Sequence, residues 1–88
     1  MTTIWKFTLK VADSQTIDMP MGAKILHVNT QAGDVCVWAE VDPLEKTKEH
    51  RHFEIRGTGH PIAPIIKKQY IGTVLFDRLV FHVFERLF

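Results

Sequence analysis

The sequence predicts a mainly β domain. Six to seven short antiparallel strands would form a small curled sheet, barrel-like or two-layer, with at most one short helical turn. Three observations carry this. Apolar and polar residues alternate with a period of two over most of the chain, as half-buried strands require. Turn-forming residues interrupt the alternation at short intervals. No segment carries a sustained helical repeat.

The elements follow in order. Over Ile4–Val11 the odd positions Trp5, Phe7, Leu9 and Val11 are apolar, with Lys6, Thr8 and Lys10 between them. That is a strand with one wet face. Thr16–Met19 is a short extended piece stopped by Pro20 and Gly22. Lys24–Thr30 sets Leu26 and Val28 on one face and Ile25 and His27 on the other. Gln31-Ala32-Gly33-Asp34 is the strongest hairpin signal, because Gly33 accepts the positive φ of a tight turn. Val35–Val41 follows, apolar on both faces, which marks a central or doubly covered strand. Glu49–Arg56 puts Arg51, Phe53 and Ile55 on one face and His50, His52, Glu54 and Arg56 on the other. A break runs from Gly57 to Pro64. Ile65–Tyr70 has room for one helical turn. Tyr70–Phe76 and Leu79–Phe84 are the last strands, joined at Asp77-Arg78.

Eighty-eight residues make one domain, residues 1–88. That is too short for a Rossmann-type enzyme or an eight-stranded α/β barrel. Forty-five percent of the chain is hydrophobic and 24% charged, so it is expected to fold rather than remain disordered. The net charge of +1 argues against a dedicated nucleic-acid binder, which carries a basic excess. The lone Cys36 cannot form an internal disulfide and reads as an inert buried thiol. Neither a secretory signal nor an apolar run long enough to span a membrane is apparent.

The loop Gly57–Pro64 is the most unusual stretch. Open backbone N–H groups at Gly57 and Gly59, with the Thr58 hydroxyl and His60, would make a nest for a phosphate or carboxylate. Arg56 and Lys68, with Arg51 and Lys67, flank it. The competing reading is a turn with positive φ at Gly57 and Gly59, stiffened by Pro61. Five histidines are many for this length. His50 and His52 share a strand face, and a metal site would recruit His60, His82 or Glu54. No zinc or cofactor motif is present, and no nucleophile–base–orienter set can be assembled. The apolar content exceeds what a one-sided sheet needs. Trp38, Phe84, Leu87 and Phe88 lack obvious internal partners and are candidate interface residues, with a two-fold dimer as the first expectation.

Several segments together resemble a family of short bacteriophage and prophage proteins of unknown function. They are Thr3–Phe7, Met21–Leu26, Trp38–Pro43, Gly57-Thr58-Gly59-His60-Pro61-Ile62, Tyr70-Ile71-Gly72-Thr73 and Phe81–Glu85. The similarity covers nearly the whole chain. Its most specific part is Gly-Thr-Gly-His-Pro followed by Tyr-Ile-Gly-Thr. The turn Asp77-Arg78 departs from the pattern in lacking a glycine, and Ala63–Lys68 is more basic and apolar. The resemblance transfers no catalytic residue. It implies a phage accessory protein in the host bacterial cytoplasm.

The expected function is therefore non-enzymatic. The protein would bind and inhibit a host factor, most plausibly in antiphage defence. It would do so by occluding a host protein or by sequestering a nucleotide signal at Gly57–Pro64. The alternatives are a small metal- or histidine-dependent hydrolase using His50, His52 and His60, and an assembly protein of the virion or replication machinery.

Overall fold

The computed structural model describes residues 1–64 and 67–87. Seven strands follow one another: β1 Thr3–Leu9, β2 Ser14–Pro20, β3 Lys24–Gln31, β4 Asp34–Val41, β5 Lys48–Gly57, β6 Lys68–Phe76 and β7 Leu79–Arg86. There is no helix among the described residues. The helical turn expected at Ile65–Tyr70 is replaced by strand from Lys68 onward; Ile65 and Ile66 lie outside the described residues. β1 stops at Leu9 rather than Val11. There the Gln15 side chain takes both backbone groups of Lys10, accepting from its N–H at 2.8 Å and donating to its C=O at 2.6 Å. No ladder bond is left for that residue to make.

All pairings are antiparallel and form two sheets. The first is three-stranded in the order β1-β4-β3, and the second four-stranded in the order β2-β5-β7-β6. The result is two-layer and not a closed barrel. The period-two pattern decides which side of each sheet is buried. Leu9, Val28, Val35, Val37, Ala39 and Val41 of the first sheet pack against Met19, Phe53, Ile55, Val74 and Val83 of the second in one core. The Cα shape is thin, 40 × 33 × 16 Å, as two sheets packed roughly 10 Å apart demand.

The tightest turns carry the backbone that the hairpins require. Ala32 and Gly33 between β3 and β4 have φ of 53° and 84°, and two positive φ values define the type I′ turn that matches strand twist. Asp77 opens the β6–β7 turn at φ 60°, a conformation aspartate tolerates better than most residues.

The sheets meet along β3 and β6, and Gly72 makes this possible. β6 bulges between Tyr70 and Gly72. A Cβ at position 72 would stand 2.6 Å from Cγ1 of the buried Val28. Gly72→Ala is expected to cost about 1–3 kcal/mol, the range for overpacking a filled core. Chemical denaturation measures it, and adding Val28→Ala should cut the penalty. The same Gly72→Ala penalty in the Val28→Ala background as in the wild type would show that the contact is not the cause.

Candidate functional site

The outward side of the four-stranded sheet collects most of the chemistry. Alternation sends Arg51, Phe53 and Ile55 of β5 to the inner side, as the sequence predicts, and His50, His52, Glu54 and Arg56 outward. Cross-strand register then sets Phe84 opposite Glu54, and Tyr70 opposite Phe84. His82 stands opposite both Arg56 and Thr73, and Leu75 opposite Val80.

Glu54 is an outward-facing carboxylate that is nonetheless buried, with 2% of its surface exposed. Cations cover it. Arg56 Nη2 donates to Oε1 at 3.0 Å, Lys68 Nζ lies 3.1 Å from the same oxygen, and Arg86 Nε lies 3.4 Å from Oε2. The Lys68 ammonium is itself buried, and its contact is ionic rather than a well-directed hydrogen bond. Arg56 also donates to the carbonyls of Asp13 and Ile55. The basic residues around the glycine loop do converge, but on Glu54. Arg56 and Lys68 are thus directed to an internal counter-ion and not into an anion nest. This follows from β5, β6 and β7 lying side by side.

The loop is tied down in a similar way. Gly57 ends β5 and sits opposite Phe81 in the ladder. It has no positive φ, unlike Gly59 at 88°. Gly57 is small for a different reason: the His60 imidazole lies against it, and a Cβ there would stand 2.9 Å from the ring. The His60 N–H donates to the Gly57 carbonyl at 3.1 Å. Positive φ at the third of four residues is the requirement of a type II turn. Thr58 leaves the loop through a chain of polar contacts. Its hydroxyl is 2.8 Å from His82 Nε2, and His82 Nδ1 is 2.9 Å from Thr73 Oγ1. Thr73 in turn bonds the Tyr70 hydroxyl. The two ring nitrogens of His82 thus link the two threonine hydroxyls across β7.

The remaining histidines have separate partners. His50 pairs with Asp18, His52 with Thr16 at 3.1 Å, and His27 lies tilted against Trp38 with centroids 6.1 Å apart. Among the described residues no three metal-ligating side chains come together. The grouping of His50 and His52 with His60, His82 or Glu54 that a metal site would have needed does not form among the described residues.

The candidate interface residues separate. Trp38 lies on the outer side of the three-stranded sheet and Phe84 on the outer side of the four-stranded one, so they cannot share one patch. Each also has an internal partner that the sequence did not reveal. For Trp38 it is His27, and for Phe84 it is Tyr70, packed edge-on at 5.6 Å. Leu87 is exposed, and Phe88 lies outside the described residues. Cys36 is buried, as expected.

One ionic group lies on the inner side, at the mouth of the sandwich. Arg51 forks onto Glu85 through Nε and Nη2, donates to the Ala23 carbonyl at 2.7 Å, and reaches Glu49 at 3.2 Å. The hydrogen bond to Glu85 raises the guanidinium pKa above its ordinary value, against the burial that would lower it. This set floors a cleft of about 400 Å³ rimmed by Lys24, Leu26 and Tyr70. Sequence reasoning missed the pair, although Arg51 on an apolar face was its signal.

Tyr70 and Thr73 were also missed as site residues, although both belong to the Tyr-Ile-Gly-Thr motif. No curated protein and no solved structure matches the chain. One family model does match, over residues 1–87, and the chain belongs to that family, described as a domain of unknown function (DUF7352).

Proposed function

We propose that this is a non-catalytic phage accessory protein that occludes a host protein, in antiphage defence, through the outer side of its four-stranded sheet. One observation carries the reading. Tyr70 and Leu75 of β6 stand 56% and 70% exposed on that flat side, with Val80 of β7 beside Leu75. Thr73 and His82 lie between Tyr70 and Leu75 in the ladder, with Arg56 and Arg86 at the flanks. Exposed aromatic and apolar groups interleaved with hydrogen-bonding groups mark a protein interface. The Glu54 cluster and the Thr58–His82–Thr73 chain hold the surface in one shape, which lowers the ordering cost of binding. Sequestration of a nucleotide is less favoured, because Arg56 and Lys68 already serve Glu54.

Capture from host lysate with the full chain tests the proposal. Tyr70→Ala and Leu75→Lys should each weaken a stoichiometric partner by about 2 kcal/mol or more, roughly thirty-fold in Kd. Leu44→Ser, in the exposed β4–β5 loop, should leave capture unchanged. Wild-type capture by both sheet variants would overturn the proposal. So would release of a bound nucleotide on denaturation with no protein partner.

A further inference from the structure

The two sheets have four edge strands, β1, β3, β2 and β6. Folded proteins guard such edges, because a free row of N–H and C=O groups recruits another strand. Three of the four are guarded here. β3 is bulged between Ile25 and His27, β6 is bulged between Tyr70 and Gly72, and these two edges meet at Val28 and Gly72. β2 carries Asp18 and ends on Pro20. β1 has no such device. It pairs with β4 without a bulge from Thr3 opposite Val41 to Leu9 opposite Val35. It contains neither proline nor glycine, and none of the described residues pairs with its other side.

Its one charge does not guard it either. Lys6 reaches back across the sheet, and its ammonium donates to Gln31 Oε1 of β3 at 2.7 Å. The side chain most suited to repelling a second strand is turned away from the edge. Ile4 and Trp5 beside it are 57% and 37% exposed.

We propose that β1 is a docking edge for the β1 of a second copy of this chain. The strands would run antiparallel about a two-fold axis at Lys6. This register pairs all seven residues of each strand, whereas centring on Trp5 or Phe7 pairs only five. It sets Trp5 opposite the partner's Phe7 twice on the inner side, an aromatic cross-strand pair. On the outer side it sets Ile4 opposite the partner's Thr8 twice. The two three-stranded sheets become one six-stranded sheet, and each inner side stays with its own core. The contact is isologous, so it closes at two copies. It lies on a different sheet from the proposed host-binding surface and does not rest on that reading.

Light scattering of the full chain across concentration, combined with amide exchange, tests this. The wild type should reach twice 10.2 kDa, with protection of β1 amides rising as dimer forms. Ile4→Lys adds a charge at each end of the shared ladder and should raise the dimer dissociation constant at least tenfold. It should leave the thermal midpoint extrapolated to the monomer unchanged, and host-protein capture intact. Lys6→Cys should give a disulfide-linked dimer under mild oxidation. A wild type that stays monomeric at millimolar concentration would overturn the proposal. A dimer insensitive to Ile4→Lys, or one whose Lys6→Cys form does not cross-link, would also overturn it.

Discussion

Glu54→Gln is expected to lower stability by about 3–5 kcal/mol, the cost of leaving a buried charge without its counter-ion. The side chain keeps its shape, so the loss is electrostatic. Lys68 Nζ is buried 3.1 Å from the carboxylate, and Arg56 and Arg86 also face it. An 88-residue domain holds about 4–13 kcal/mol in total, so the loss is a large share of the whole. At about 4–8 °C per kcal/mol for a domain of this size, the melting temperature falls by roughly 12–40 °C. Calorimetry reads this directly. Adding Lys68→Met to Glu54→Gln should recover part of the loss, because the orphaned ammonium goes with it. A Glu54→Gln protein that melts within a few degrees of wild type would show that the cluster is solvated and contributes little.

Arg51→Ala should cost a similar amount, about 3–5 kcal/mol, for a related reason. Glu85 is 5% exposed and takes both arms of the guanidinium fork. Removing Arg51 strands that carboxylate and also frees the Ala23 carbonyl. The paired replacement Arg51→Met with Glu85→Leu should restore most of the stability, because apolar groups of similar size often replace a buried ion pair at little cost. The double-mutant cycle separates the two contributions. Additive losses, with no recovery in the pair, would mean that Arg51 acts through packing of its stem and not through Glu85.

Much of the fold was legible because a strand writes its two faces into alternate residues. The sides taken by Trp5, Phe7 and Leu9, and by Arg51, Phe53 and Ile55, follow from parity alone. The β3–β4 turn follows from Gly33. The strand ends were less legible, because they depend on which side chain satisfies the last backbone groups, as Gln15 does for Lys10. The glycines were only partly legible: Gly57 was expected to open a nest or take a positive φ, and Gly72 had no role assigned. Gly57 and Gly72 both serve close approach, of His60 and of Val28 respectively. A sequence shows a missing side chain, but not the distant atom that occupies its place.

The candidate site was half visible. Arg56, Thr58, His60, Lys68 and Phe84 do gather on or beside one sheet, but their partners were hidden. Parity places Glu54 among polar neighbours, whereas its burial comes from Lys68 and Arg86 on β6 and β7, whose order beside β5 no local pattern states.

The sequence by itself determined the class of this protein: a small all-β domain with positions for its turns, and with inner residues predictable except where a bulge shifts the alternation, as between Ile25 and His27, so that Ile25 and not Leu26 joins Val28 at the core. Alternation and turn chemistry are local, so they survive reading one residue at a time. Only the tertiary structure decided that there are two open sheets, that the cations around the glycine loop answer to Glu54, and that β1 is left unguarded. Those are matters of strand order. Strand order is set by the cross-sheet burial that the whole chain achieves together.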